Sequence, residues 1–167
     1  MLDKFQFESE AVGATVKRFT LLDDAAAYAT DLAESGIAVA SALPANIRVA
    51  FGDSFFSPQK SAAGAKLCVS FALAGIARTG SILLDLKNGM DRDCASLAAK
   101  HAVFLPASKI VSDLYALQDR LNEILCQPHA ARLSITTGPS RTADIERVLT
   151  IGVHGPKELH LLVMEGD

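Results

Sequence analysis

The sequence predicts an α/β fold, a three-layer α/β/α sandwich around a mostly parallel sheet, on three observations. Short apolar runs alternate with stretches of helical periodicity, most clearly in the second half of the chain. The run "KLCVSFALAGIA" (66–77) is apolar without in/out alternation, as a strand buried on both faces should be. Aromatic residues make up 6% of the chain and Trp is absent, so Ala, Leu, Ile and Val must build the core, which suits helices packed closely on a sheet.

Each element follows from local pattern. Residues 1–15 read as a frayed start, and "VKRFTLL" (16–22) as a short strand. "DDAAAYATDLAESG" (23–36) opens with acids, continues with alanines and ends at Gly36, the pattern of a capped helix. "IAVASAL" is extended or a short strand and stops at Pro44. "NIRVAFG" (46–52) alternates like a strand, and "DSFFSPQK" is a loop. After the apolar run at 66–77 come a strand at 80–86, a turn at "KNG" (87–89) and a strand at 102–105 ended by Pro106. Residues 108–127 carry Ile110, Leu114, Leu117, Leu121, Ile124 and Leu125 at helical spacing. A strand at 132–138, a helix from "TADIERVLTIG" and a strand at 158–165 complete the chain. Two strand–helix–strand units, 102–137 and 132–165, predict parallel pairing through right-handed crossovers. No repeat or linker divides the 167 residues, so one domain, 1–167, is expected.

Composition excludes several functions. Net charge is −3 and the 16 Lys and Arg are scattered, so the basic stripe of a nucleic-acid binder is absent. The start "MLDKFQFESE" is too charged for a signal peptide. The apolar stretch 67–77 is far short of the roughly 20 residues that span a bilayer. Cys68, Cys94 and Cys126 are odd in number and form no CxxC pair, which predicts three reduced thiols, a cytoplasmic location and no metal or cluster held by this chain.

The densest chemistry lies in "GPSRTADIE…GVHGP" (138–156). Ligands of open α/β sheets gather beyond the carboxyl ends of the strands, and "GPSRT" lies at the end of a predicted strand and the start of a predicted helix. There unpaired N–H groups and the helix dipole favour an anion. Gly138 would let a ligand approach, Ser140 or Thr142 would donate to it, and Arg141 would pair with it. A plain helix start explains the same residues: Ser140 as cap, Pro139 at the first turn, Arg141 paired with Asp144. His154 sits between glycines, where its ordinary pKa suits either a site or a turn. "GIARTGS" (75–81) has the glycine spacing of a P-loop, but Ser81 stands where the lysine belongs. Thr79 and Gly80 therefore read as a second ligand-facing turn or as a connection between strands.

The stretch 137–165, with GPSxTADIE followed by GVHGP and an apolar strand, closely resembles the C-terminal signature of the lactate-utilization protein C family (LutC/YkgG, LUD domain). "GIARTGSILL" (75–84) resembles the family's upstream IAETGT segment, and "SLAAKHAVFLP" its SLLPxxH stretch. The chain departs from these at Arg78, where Glu is common, at Ala98 and Ala99 in place of Leu-Pro, and at Ala102 in place of His.

The resemblance implies a fold like the NagB/RpiA/CoA-transferase group. It also implies a part in the oxidation of L-lactate to pyruvate, beside iron–sulfur proteins that carry the clusters while this chain carries no cofactor. Candidate ligand-binding residues are then Thr79, Gly80, Gly138, Ser140, Arg141, Thr142, Asp144, Glu146, His154 and Gly155, around a small anionic ligand. The alternative is a stand-alone enzyme or binding protein for a phosphorylated, nucleotide or CoA-type ligand, with Asp85, Asp144 or Glu146 as a nucleophilic carboxylate.

Overall fold

The computed structural model describes residues 1–40, 42–52, 54–57, 61–127, 132–143, 149–151 and 155–166. The chain runs through α1 (Leu2–Ala11), β1 (Thr15–Phe19), α2 (Leu22–Leu32), β2 (Ala38–Ala40), α3 (Ala45–Phe51), β3 (Leu67–Phe71), β4 (Ala74–Ile76) and β5 (Ser81–Asp85). It continues through α4 (Gly89–Ser96), β6 (Lys100–Pro106), β7 (Ile110–Val111), α5 (Gln118–Leu125), β8 (Leu133–Thr137), β9 (Arg141–Ala143), β10 (Leu149–Ile151) and β11 (Glu158–Met164).

Five strands form a fully parallel sheet in the order β1-β11-β6-β3-β2. Every residue of β6 after Lys100, and of β11 after Glu158, is buried, as expected of strands covered on both faces. On one face Leu67, Val69, Ala102, Phe104 and Leu162 pack against Ala25, Ala29 and Ala33 of the α2 region and Ile47 of α3. On the other, Val16, Val103, Leu105, Leu161 and Val163 meet Phe5 of α1 and Ile82 and Leu84 of β5. The α/β class and the mostly parallel central sheet flanked by helices thus match expectation. One outer layer also contains a second sheet, β7-β4-β5-β8, in which β5 runs antiparallel to both neighbours.

Several expectations fail for physical reasons. The opening residues are not frayed: α1 buries Phe5 and Ser9 completely. "NIRVAFG" is a helix, because Ile47 and Phe51 share one helical face while Val49 points to solvent. The apolar run 66–77 splits into β3 and β4, which serve different sheets. Residues 108–127 are not one helix. Ile110 and Val111 pair with β4, and the Asp113 carboxylate accepts from the Ala116 amide at 3.1 Å, so helix begins only beyond it.

The two expected crossover units dissolve as well. β8 pairs antiparallel with β5 rather than with the central sheet. In place of the helix expected from "TADIERVLTIG", Arg141–Ala143 pairs antiparallel with Leu149–Ile151. Thr142, Thr150 and Ile151 are β-branched, and strand pairing prevails over the apolar periodicity there.

A helix with no counterpart in the sequence reading, α4, is started by a capping box between Asn88 and Asp91. It is joined to β3 by a disulfide between Cys68 and Cys94, with Cα atoms 5.3 Å apart, while Cys126 is exposed. Three reduced thiols were expected. The partners lie 26 residues apart and meet only because α4 packs on β3. Such bonds are uncommon in a reducing cytoplasm, so the cysteines no longer argue for that compartment. Among the described residues no helix is long and apolar enough to cross a membrane.

Candidate functional site

The two signature turns meet. The Ser140 amide donates to the Pro156 carbonyl at 3.0 Å, and a Cβ added to Gly155 would fall 2.7 Å from Ser140 Cβ. Together they border a cavity of about 340 Å³. Its other walls are Ile135–Thr137 at the end of β8, Ala95 of α4, and His101 and Leu159 near the starts of β6 and β11. It therefore lies beyond the carboxyl end of β8, as expected of "GPSRT", but at the amino ends of β6 and β11 in the parallel sheet.

The anion site expected on a helix N-terminus is not formed. Residues 141–143 are a strand, and the Ser140 amide is already paired. Gly138 and Gly80 adopt φ of +69° and +63°. A Cβ at Gly138 would lie 2.5 Å from the Val12 carbonyl oxygen, and one at Gly80 would collide with the backbone of Ser9. The space these glycines leave is filled by α1 and the turn after it, not by a ligand. Ser9 Oγ also donates to the Gly80 carbonyl at 3.1 Å, and Arg141 donates to the Val12 carbonyl at 2.7 Å.

The remaining candidates are distributed as follows. Thr79 Oγ1, Ser81 Oγ and Thr137 Oγ1 form a chain of hydroxyls with both links 2.7 Å. That chain lines a neighbouring cavity of about 390 Å³, together with Arg78, Asp113 and Tyr115. The two cavities share Ile135 and Thr137. Thr142 lies in β9 opposite Thr150. Asp85 ends β5, paired with Lys87 at 3.0 Å, and borders neither cavity. Asp144, Glu146 and His154 lie outside the described residues.

Sequence reasoning missed His101 and Ser70. His101 is 2% exposed, and its Nε2 lies 2.6 Å from Ser70 Oγ on the adjacent strand β3. The signal was present: a histidine within the apolar strand "HAVFLP" must find a polar partner. Burial pushes its pKa down to about 4, so the imidazole is neutral at physiological pH.

An unfolded histidine near 6.5 binds a proton that the folded one refuses. Stability should therefore be full above about pH 6.5 and fall as pH drops towards 4, by about 3 kcal/mol in total from this group. Urea unfolding across that range should show the loss, and His101→Gln should flatten it. Identical pH profiles for the two proteins would contradict this assignment.

Residues 57–164 match the family model described as LUD domain. Lactate utilization protein C of Bacillus subtilis is 29% identical over 109 residues, 64% of this chain and 45% of that protein. The protein of the same name from Macrococcus caseolyticus is 28% identical over 103 residues, 60% of this chain and 45% of that one. The one from Bacillus pumilus is 32% identical over 98 residues, 57% and 41% of the two chains. The chain thus spans less than half the length of these curated relatives. The crystal structure of a DUF162 family protein from Deinococcus radiodurans superposes with a TM-score of 0.66 at 20% identity, covering 98% of this chain and 96% of that one, which is a likeness of fold.

Proposed function

Because the chain belongs to the LUD domain family, we propose that it serves lactate utilization as a subunit or accessory protein of an iron–sulfur-dependent system that oxidises L-lactate to pyruvate. The observation that carries this reading is the family match across 57–164, which contains both turns that close on the cavity. Relatives named lactate utilization protein C supply the process.

The iron–sulfur clusters are assigned to partner proteins on the chemistry of the donors. A cluster is held by several thiolates in one place. Here Cys68 and Cys94 are bonded to each other and Cys126 stands apart. Among the described residues no three His, Cys, Asp or Glu side chains converge as metal ligands. These residues do not fit a cluster, and no electron step is drawn through this chain. The alternative of a phosphorylated, nucleotide or CoA-type ligand rests on analogy of fold, and fold does not fix function.

The purified chain, given L-lactate and a dye as electron acceptor but no partner, should reduce no dye. Turnover by the isolated chain would refute the subunit reading.

A further inference from the structure

We infer that the groove beside the Thr79–Gly80 turn docks a second copy of this chain, with Arg78 of each copy meeting Asp113 of the other about a two-fold axis. The groove has a volume of about 390 Å³, and Ile76, Leu114 and Ile135 give it apolar walls. Three large apolar side chains on its border stand in water: Leu114 is 45% exposed, Tyr115 82% and Ile135 48%. Single exposed apolar residues are ordinary on a protein surface, whereas a cluster around one groove marks a contact surface. Tyr115 is also the kind of side chain that anchors interfaces, since it covers much area at little cost in conformational entropy. The inference does not rest on the proposed function, whose partners are other proteins.

The charges select the partner. Arg78 and Asp113 border the same groove, yet among the described ion pairs none joins them to each other. The Arg78 amide donates to the Ser112 carbonyl at 3.0 Å, so the two residues sit on adjoining stretches of backbone. The Asp113 carboxylate accepts from Ser112 Oγ at 3.2 Å and from the Ala116 amide at 3.1 Å, which orients it and leaves lone pairs for a further donor. A two-fold axis lays a patch onto its own copy, so that residue i meets j and j meets i. A patch of one sign would repel itself. A patch with a guanidinium beside a carboxylate makes two cation–carboxylate contacts instead, in a geometry that suits both groups. Tyr115 of each copy then enters the other's groove, and its phenol needs a polar partner there. The chain of Thr79, Ser81 and Thr137 hydroxyls supplies one, since two links among three hydroxyls leave a proton and several lone pairs unspent.

Sedimentation equilibrium of the intact chain tests the inference. A single groove and its rim are small beside a standard interface of about 800 Å² per partner, so the dimer should form in the range of about 1 to about 500 μM. Arg78→Asp and Asp113→Arg should each be monomeric where the parent is dimeric, because each puts like charges in contact twice. An equimolar mixture of these two variants should regain the dimer, because in the mixed pair both contacts again join a cation to a carboxylate. Tyr115→Ser should weaken the dimer by about tenfold or more. Arg78 and Tyr115 are exposed, so their variants test the groove even if Asp113→Arg folds poorly. A dimer indifferent to Arg78→Asp, or two folded variants that stay monomeric when mixed, would overturn the inference. A parent that is monomeric throughout the range would overturn it too, and would leave the groove to a different protein.

Discussion

Gly80→Ala should destabilise the protein by about 3 kcal/mol, the sum of the left-handed backbone penalty and of overpacking against α1. Gly80 holds φ of +63°, and an added methyl meets the backbone of Ser9, which cannot step aside as a side-chain tip could. Gly64→Ala is the control: φ is +77°, but nothing lies within 4 Å of the added carbon. It should cost only the backbone term, about 1–2 kcal/mol. Thermal unfolding separates them, since each kcal/mol moves the midpoint of a chain this size by about 2–4 °C. Equal midpoints for the two variants would mean that α1 does not pack on the TG turn.

Phe5→Ala should cost about 3–5 kcal/mol, a large part of a typical domain's stability. Phe5 is wholly buried, in one cluster with Val103, Leu105, Leu161 and Val163 of the central sheet. Phe7, two residues on, is 69% exposed, and Phe7→Ala should stay within about 0.5 kcal/mol. Denaturant titration of the pair decides whether the first helix is part of the core. Similar small effects at both positions would restore the frayed start that the sequence suggests. Together the two experiments probe one arrangement, in which α1 and the turn after it fill the space left by Gly80 and Gly138.

What the sequence made legible follows from how local each cause is. The strands β5, β6, β8 and β11 could be read because burial makes their apolar runs continuous or their residues β-branched. The first helix could not, because Asp3, Lys4, Glu8 and Glu10 surround the one aromatic that anchors it. Residues 141–143 and 149–151 misled because apolar residues at helical spacing do not by themselves exclude pairing of two short strands. The candidate site divides along the same line. The resemblance named "GPSRT" and "GVHGP" as parts of one signature, and the Ser140–Pro156 hydrogen bond joins the two turns. His101 and Ser70 lie 31 residues apart and become neighbours only through parallel pairing of β3 with β6. The disulfide between Cys68 and Cys94 was hidden in the same way, since no spacing announces a contact made by helix-on-strand packing.

The central claim is that this chain is needed for lactate oxidation together with partners. The direct measurement is L-lactate-dependent dye reduction in extracts of the source organism, with and without the gene. The rate should fall to background in the deletion extract and return when the purified chain is added back. A deletion extract that oxidises L-lactate at the full rate would contradict it.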